Sequence, residues 1–128
     1  MIYVKENKIS KENKMPFLII NSNAKLAQEQ IDSLVVEGAE LVASELHKPI
    51  SYVIVDYRYN PNMSFGGKKE NVGVLAEMKS IGFGNKPGLA KILTEFLYDR
   101  LKADLHNINI EFVDMPASTV AIGGNLLG

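Results

Sequence analysis

The residue pair Met15-Pro16 lies directly before a short apolar run, Phe17–Ile20. If the chain is cut after Met15, it begins with a proline whose nitrogen is a free secondary amine. An α-amino group has an unperturbed pKa of about 7.7–8.0, and burial beside another cation lowers that pKa. Such a base suits proton transfer near neutral pH. While residues 1–15 remain attached, the same nitrogen is a tertiary amide without basicity. The simpler interpretation of Pro16 is that it merely starts an edge strand, where its missing N–H costs little.

Composition restricts the other kinds of site. The chain has 128 residues, no cysteine and a formal net charge of −1. It therefore cannot use disulfides or thiolate chemistry, and its charge gives no reason to expect nucleic-acid or membrane binding. His47 and His106 have no potential metal ligands close to them in sequence, so we expect no metal site. We find no signal peptide or bilayer-spanning segment in the sequence, and we expect a cytoplasmic protein.

The first 14 residues differ from the rest of the chain. Residues 1–14 hold four lysines and two glutamates, a charge of +2, whereas residues 15–128 hold ten basic and 13 acidic residues, a charge of −3. We interpret residues 1–14 as a polar N-terminal extension and residues 15–128 as one domain. Three interpretations of the extension stay open, namely a solvated tail, a regulatory cap over Pro16, and a translated upstream stretch.

Hydrophobic periodicity predicts the order strand, helix, strand, twice over. Lys48-Pro49 should end the first helix, because the residue before a proline resists the α conformation. Pro87 fits the first turn of the second helix. A loose ribbon is expected around Gly123-Gly124 and Gly128. The predicted elements are strands at Phe17–Ser22, Tyr52–Val55, Val72–Ile81 and Ile108–Val113, and helices from about Ala27 to His47 and from about Pro87 to Leu101.

The two halves look like an internal repeat with an offset of 58 residues, which aligns 50–56 with 108–114. The matching order of elements predicts an α+β fold in which two tandem βαβ repeats form a four-stranded mixed sheet with two helices on one face. The runs Phe17–Ile20 and Tyr52–Val55 read as apolar on both faces. The chain has no further element to cover the second face, so we expect an oligomer.

Five short motifs resemble those of the macrophage migration inhibitory factor and D-dopachrome tautomerase family, in the same order and spacing. This resemblance implies a homotrimer with sheets around a central channel and with sites between subunits. It also implies keto–enol tautomerisation of aromatic α-keto acids of the phenylpyruvate type, or of dopachrome-like compounds, without a cofactor. The motifs are Met15-Pro16-Phe17, Lys48-Pro49, Ser64-Phe65-Gly66-Gly67, Ser80-Ile81-Gly82 and Asp114-Met115.

The resemblance also implies roles for individual residues. Pro16 would be the base, Lys48 would bind a substrate carboxylate and stabilise the enolate, and the backbone N–H of Ile81 would bind the same carboxylate. Lys48 has a simpler interpretation as a cation that favours the C-terminus of a helix, and Ile81 as a core strand residue. Tyr52 either lines the pocket or fills a strand face.

Three positions depart from the family pattern. Asn109 and Glu111 lie where relatives have a tyrosine and an asparagine from the neighbouring subunit, and Ile122 lies where they commonly have tryptophan. These changes bear on substrate preference and efficiency. Two alternatives to an active enzyme follow from the resemblance and the extension. One is a cytokine-like trimer that binds a protein receptor, exported without a signal peptide, and the other is a latent form blocked by residues 1–14.

Overall fold

The structure is a computed structural model that describes residues 15–128, so the predicted extension lies outside the described residues. Within residues 15–128, no helix is both long enough and apolar enough to cross a membrane. The elements in chain order are β1 (Phe17–Ser22), α1 (Gln28–Leu46), β2 (Ile54–Tyr59), β3 (Val74–Ser80), α2 (Lys86–Leu101), β4 (Ile108–Asp114), β5 (Ala121–Ile122) and β6 (Asn125–Leu126).

Four strands form one mixed sheet in the order β2-β1-β3-β4. β1 is parallel to β2, β3 is parallel to β4, and the two halves meet through antiparallel pairing of β1 with β3. Each parallel pair is joined by a crossover helix, and the helices pack on the same face of the sheet. The predicted α+β fold of two tandem βαβ units is therefore confirmed.

The core lies between this face and the two helices. Alternate side chains of β1 and β3 are buried, as expected for strands with one covered face. Each helix turns one stripe of four buried residues, spaced four apart, towards the sheet. These stripes are Leu34, Gly38, Val42 and Leu46 in α1, and Leu89, Leu93, Leu97 and Leu101 in α2.

Local signals fix the ends of both helices. In α1 the Gln30 side chain accepts a hydrogen bond from the Ala27 N–H at 2.8 Å, and His47 ends the helix in the left-handed conformation with φ of 54°. In α2 the Asn85 side chain accepts from the Gly88 N–H at 3.1 Å, with Pro87 in the first turn as predicted. The predicted helix positions are confirmed to within one residue at these ends.

The predicted strand at Tyr52–Val55 is displaced. Ile50–Tyr52 forms a single 3₁₀ turn that begins after Pro49, and β2 starts only at Ile54. The Ile54 N–H donates to the Pro16 carbonyl at 3.0 Å, so pairing with β1 begins there. A β-branched and aromatic run predicts strand, but the proline before it favours a tight turn first.

The 58-residue offset holds only for the first part of each repeat. Gln28 and Lys86, the first residues of the two helices, are 58 apart, whereas Leu46 and Leu101, the last residues, are 55 apart. Strand pairing gives the same shift. Ser22 at the end of β1 and Ser80 at the end of β3 are 58 residues apart, whereas their partners Tyr59 and Asp114 are 55 apart. The predicted alignment of 50–56 with 108–114 is therefore wrong by three residues, since α1 is almost one turn longer than α2.

The face of the sheet away from the helices is mixed rather than apolar throughout. Ile54 and Leu75 are 53% and 52% exposed on this open face. β2 adds charged residues because it starts later than predicted. One row across the open face consists of Asp56, Ile19, Glu77 and Glu111. The expectation of strands that are apolar on both faces is therefore wrong for β2.

The C-terminal residues form a short hairpin rather than a loose ribbon. β5 pairs antiparallel with β6, and the turn between them is Gly123-Gly124, with φ values of 59° and 88°. Two consecutive positive φ values match the glycine-rich turns that suit hairpins. The Leu127 N–H closes the hairpin by donating to the Val120 carbonyl at 2.9 Å.

We expect Gly73→Ala to destabilise the fold by about 1–3 kcal/mol, because an alanine Cβ would overpack a buried contact. A Cβ at Gly73 would lie 2.6 Å from three ring atoms of Phe65. Urea unfolding of the variant measures the loss. Gly38→Ala is the matched control, because its Cβ would lie at ordinary distances, 3.6 Å or more, from Phe96 and Val55. A Gly73→Ala loss no larger than that of the control contradicts this account.

Candidate active site

Lys48 connects the end of α1 to the end of β3. It directly follows the left-handed His47, it is only 7% exposed, and its Nζ donates to the Ile81 carbonyl at 3.0 Å. A buried ammonium is costly unless it is hydrogen-bonded, and this bond supplies one such partner. The structure thus brings together Lys48 and Ile81, two residues predicted for the site. The interaction uses the carbonyl of Ile81, whereas the prediction concerned its N–H.

Pro16 lies at the same end of the sheet. Phe17 is paired with Lys79, so Pro16 comes beside Ser80, which is the last residue of β3. The Pro16 side chain is among the fully buried ones. Met15, which acylates the proline nitrogen, has φ of 57°, a conformation that is rare for a residue with a side chain and disfavoured before proline. Pro16, Lys48 and Ile81 therefore share one end of the sheet.

A cavity of about 360 Å³ opens beside Lys48. Its size falls within the range of small-molecule sites. Phe83 contributes an aromatic wall, packed edge-to-face on Phe112 with ring centroids 5.5 Å apart. Pro16 does not line this cavity in the chain that carries its extension. The lining residues are Glu45, Leu46, His47, Lys48, Gly82, Phe83, Gly84 and Asn85.

The loop after β3 is held against β4 by polar contacts. The Gly82 N–H donates to Asp114 Oδ1 at 3.1 Å, and the Ser80 hydroxyl donates to the Gly82 carbonyl at 2.6 Å. Lys86 Nζ lies 5.3 Å from the centre of the Phe83 ring. Phe83 was not predicted from the sequence as a cavity residue. Gly82 and Gly84 on either side of it indicate a loop, and a large aromatic side chain is unusual between two such glycines.

The sequence model of the macrophage migration inhibitory factor family matches residues 15–128 of this chain. The chain belongs to the macrophage migration inhibitory factor family. A macrophage migration inhibitory factor homolog of Brugia malayi is 36% identical in an alignment 118 residues long, which covers 89% of this chain and 100% of the relative. The homolog of Wuchereria bancrofti is 32% identical, with the same coverage.

Solved structures of the family have the same fold. The macrophage migration inhibitory factor of Toxoplasma gondii has a TM-score of 0.77 at 26% identity, covering 86% of this chain and 98% of that one. The homologue from Prochlorococcus marinus has a TM-score of 0.81 at 24% identity, covering 88% and 99%. The predicted family is thereby confirmed, and with it membership of the tautomerase superfamily. Residues 1–14 lie outside the family match.

Tyr52 occupies the 3₁₀ turn after Pro49 and is half-buried, so it lies outside the strand in which it was predicted. It belongs to the segment that joins Lys48 to β2. Its role as a pocket residue of a family member stays a prediction.

Asn109 and Glu111 lie away from Pro16 within one subunit. β4 is separated from β1 by β3, a distance of about 10 Å across the sheet. Asn109 is also level with Asn21, four residues along β1 from Phe17. Because one chain does not bring these residues to Pro16, any role in the same site requires a neighbouring subunit, as the family resemblance implies.

Ile122 lies in β5 and is half-buried. The chain enters this C-terminal region at Met115, whose N–H donates to the Ser80 carbonyl at 2.8 Å. The hairpin therefore starts from the end of the sheet that carries Pro16. Among residues 15–128 we find no group of three or more histidine or acidic side chains arranged to hold a metal ion.

Replacing Lys48 should destabilise the domain by about 1–3 kcal/mol, because Lys48→Met leaves the buried Ile81 carbonyl without its donor. Methionine keeps most of the side-chain volume, so packing changes little. Lys91→Met, on the exposed side of α2, is the matched control and should lie within about 0.5 kcal/mol of the parent. Equal urea midpoints for the two variants would show that the Lys48 bond is dispensable.

Proposed function

We propose that residues 16–128 form a cofactor-free keto–enol tautomerase that acts on aromatic α-keto acids of the phenylpyruvate type, or on dopachrome-like compounds. The observation that supports this proposal best is the convergence of Pro16, Lys48 and Ile81 at one end of the sheet, in a chain that belongs to the macrophage migration inhibitory factor family. Pro16 acts as the base once residues 1–15 are removed.

In the proposed reaction the Pro16 amine takes a proton from the carbon next to the substrate carbonyl. The electron pair of the broken C–H bond forms the carbon–carbon double bond, and the carbonyl oxygen becomes an enolate. The protonated amine then delivers its proton to this oxygen, which completes the enol. The reverse reaction runs through the same steps, and neither direction needs an external oxidant or reductant.

The neighbours of Pro16 assist in this scheme. The Lys48 ammonium has three N–H donors, so it can bind a substrate carboxylate while it also bonds the Ile81 carbonyl. Its positive charge also favours the neutral form of a nearby amine and stabilises the developing enolate. The Ile81 N–H is a further donor for the carboxylate. Tyr52, together with Asn109 and Glu111 of a neighbouring subunit, completes the pocket in this proposal.

The chain beginning at Pro16 should convert phenylpyruvate enol, whereas the chain retaining residues 1–15 should be nearly inactive. In the longer chain the proline nitrogen is an amide whose lone pair is delocalised into the Met15 carbonyl, so it cannot accept a proton from the substrate. Intact mass must establish the N-terminus of both forms before the assay. Pro16→Gly in the shorter chain is the control for the base, and it should lose at least about tenfold, since general acid–base groups supply about 10²–10⁴ in rate.

Equal turnover in the two forms would show that the reaction does not use the proline amine.

A second candidate function has its own support, because the nitrogen of Pro16 is acylated and its ring is fully buried in the longer chain. This candidate is a cytokine-like trimer that binds a protein receptor with weak or no enzymatic activity. A Pro16-start chain that is folded and trimeric but inert towards enols would favour it.

We infer that the functional unit is a homotrimer. β2 and β4 are the edge strands of the four-stranded sheet, and the open face bears half-exposed side chains such as Ile54 and Leu75. Light scattering should therefore give three chains per particle, for the full chain as well as for the Pro16-start chain. A stable, folded monomer of either form would contradict the assembly and the site between subunits.

A further inference from the structure

The motif Asp114-Met115 ends β4 beside the loop that follows β3. The Met115 N–H donates to the Ser80 carbonyl at 2.8 Å. Asp114 Oδ1 accepts from the Gly82 N–H at 3.1 Å. The loop is therefore bonded to both residues of the motif, once through a backbone group and once through a carboxylate. Ile81, which lies between these two bonds, is the residue predicted to bind the substrate carboxylate.

The peptide unit between Ile81 and Gly82 is held at both of its edges. Its N–H, which belongs to Gly82, donates to Asp114. Its carbonyl, which belongs to Ile81, accepts from Lys48 Nζ at 3.0 Å. The N–H and the carbonyl of a trans peptide unit lie in one plane and point in opposite directions. The Asp114 carboxylate therefore orients the group that receives the Lys48 ammonium, and it polarises this peptide unit in the direction that strengthens the bond to Lys48.

The two neighbouring peptide units are oriented as well. The carbonyl of the preceding unit, from Ser80, accepts from Met115, so its N–H, from Ile81, points away from β4 and towards β1. Pro16 directly precedes β1, so this N–H is directed to the side of the sheet on which the proline lies. The buried Ser80 hydroxyl donates to the Gly82 carbonyl at 2.6 Å, which fixes the third unit. Both groups proposed to hold the substrate carboxylate are thus oriented through bonds to the end of β4.

The loop depends on these bonds for a single conformation. Gly82 and Gly84 have φ values of 81° and 75°, in the left-handed region that favours glycine. Glycine also has access to many other conformations, so the two glycines by themselves leave the direction of the Ile81 carbonyl open. The side-chain bond from Asp114 selects one direction, and the loop then presents a fixed acceptor to Lys48.

We propose that Asp114 is a positioning residue for the candidate site, because it orients the Ile81 carbonyl and through it the Lys48 ammonium for binding of a substrate carboxylate. Asp114 itself does not touch the substrate. The effect of this orientation on turnover rests on the proposed tautomerase function, whereas its effect on the binding of a carboxylate does not. Failure of the proposed enzyme and failure of the positioning role are therefore separate results.

Kinetics of the Pro16-start chain test the positioning role. Asp114→Ala should lower kcat/KM for phenylpyruvate enol about fivefold, the effect of one ordinary hydrogen bond, and mainly through KM, because the carboxylate is bound in the ground state as well as in the transition state. Asp114→Asn keeps a side-chain oxygen that can accept from Gly82, so its KM should stay within about twofold of the parent.

Asp104→Ala is the matched control. Asp104 also accepts from a backbone N–H, that of His106 at 2.8 Å, and it lies at the opposite end of β4. Loss of this bond should lower stability as much as the loss at Asp114, since each variant removes one hydrogen bond to a carboxylate. KM should not change in Asp104→Ala, because the bond lies far from Lys48.

Two measurements need no turnover. Hydrocinnamate, an aromatic carboxylate without a keto group, should bind the parent, and its Kd should rise about fivefold in Asp114→Ala. In NMR spectra of this variant the Gly82 amide and the Lys48 side chain should both shift, whereas Asp104→Ala should leave both signals in place. A parent that binds hydrocinnamate but converts no enol contradicts the tautomerase, and the rise in Kd still supports the positioning role.

Three results would overturn the positioning role of Asp114. The first is a loss of stability in Asp114→Ala with KM and Kd equal to those of the parent, which would make the carboxylate purely structural. The second is a shift of the Gly82 amide without a shift of the Lys48 side chain. The third is a folded parent without affinity for hydrocinnamate, because Lys48 would then hold no carboxylate.

Discussion

The antiparallel pairing of β1 with β3 is the constraint on which the rest of the structure depends. It places Phe17 opposite Lys79, so the chain that enters β1 lies beside the chain that leaves β3. β2 is parallel to β1, so α1 must carry the chain back to this same end, and Lys48 arrives there. A register slip of one residue would move the core side chains of β1 to the open face. The candidate site is therefore a direct product of strand order and register.

Position and reactivity are controlled separately at Pro16. The fold fixes where the proline lies, through the bond from the Ile54 N–H and the pairing of Phe17. The chemistry of its nitrogen depends only on whether Met15 is attached, because acylation converts an amine into an amide. The same folded domain can thus exist in two chemical states that differ by one peptide bond. Met15 itself adopts a positive φ, so this bond lies in a backbone segment with unusual geometry.

Most of the fold could be predicted from the sequence, because its signals are local. The four-residue spacing of Leu89, Leu93, Leu97 and Leu101 predicts α2, and Pro87 predicts its start. The start of β2 could not be predicted, since its pairing with Pro16 is a long-range contact. The meeting of Lys48 with Ile81 was expected from family motifs, whereas Phe83 was missed because its packing on Phe112 depends on the tertiary fold. The mixed open face follows from the later start of β2.

The opposite end of the sheet carries the residues that the repeat relates to the candidate site. With the offsets of 58 before the helices and 55 after them, Pro16 corresponds to Val74, Lys48 to Ala103 and Ile81 to Asn23. At this opposite end the Asn23 amide donates to the Asn71 carbonyl at 2.8 Å and accepts from the Gly73 N–H at 2.9 Å, closing the gap between β1 and the segment before β3. The two ends of the sheet thus differ, because one bears the site of the proposed reaction and the other is closed by the Asn23 hydrogen bonds. Cleavage of the peptide bond before Pro16 releases only the segment that precedes the domain, whereas cleavage before Val74 would cut the domain in two.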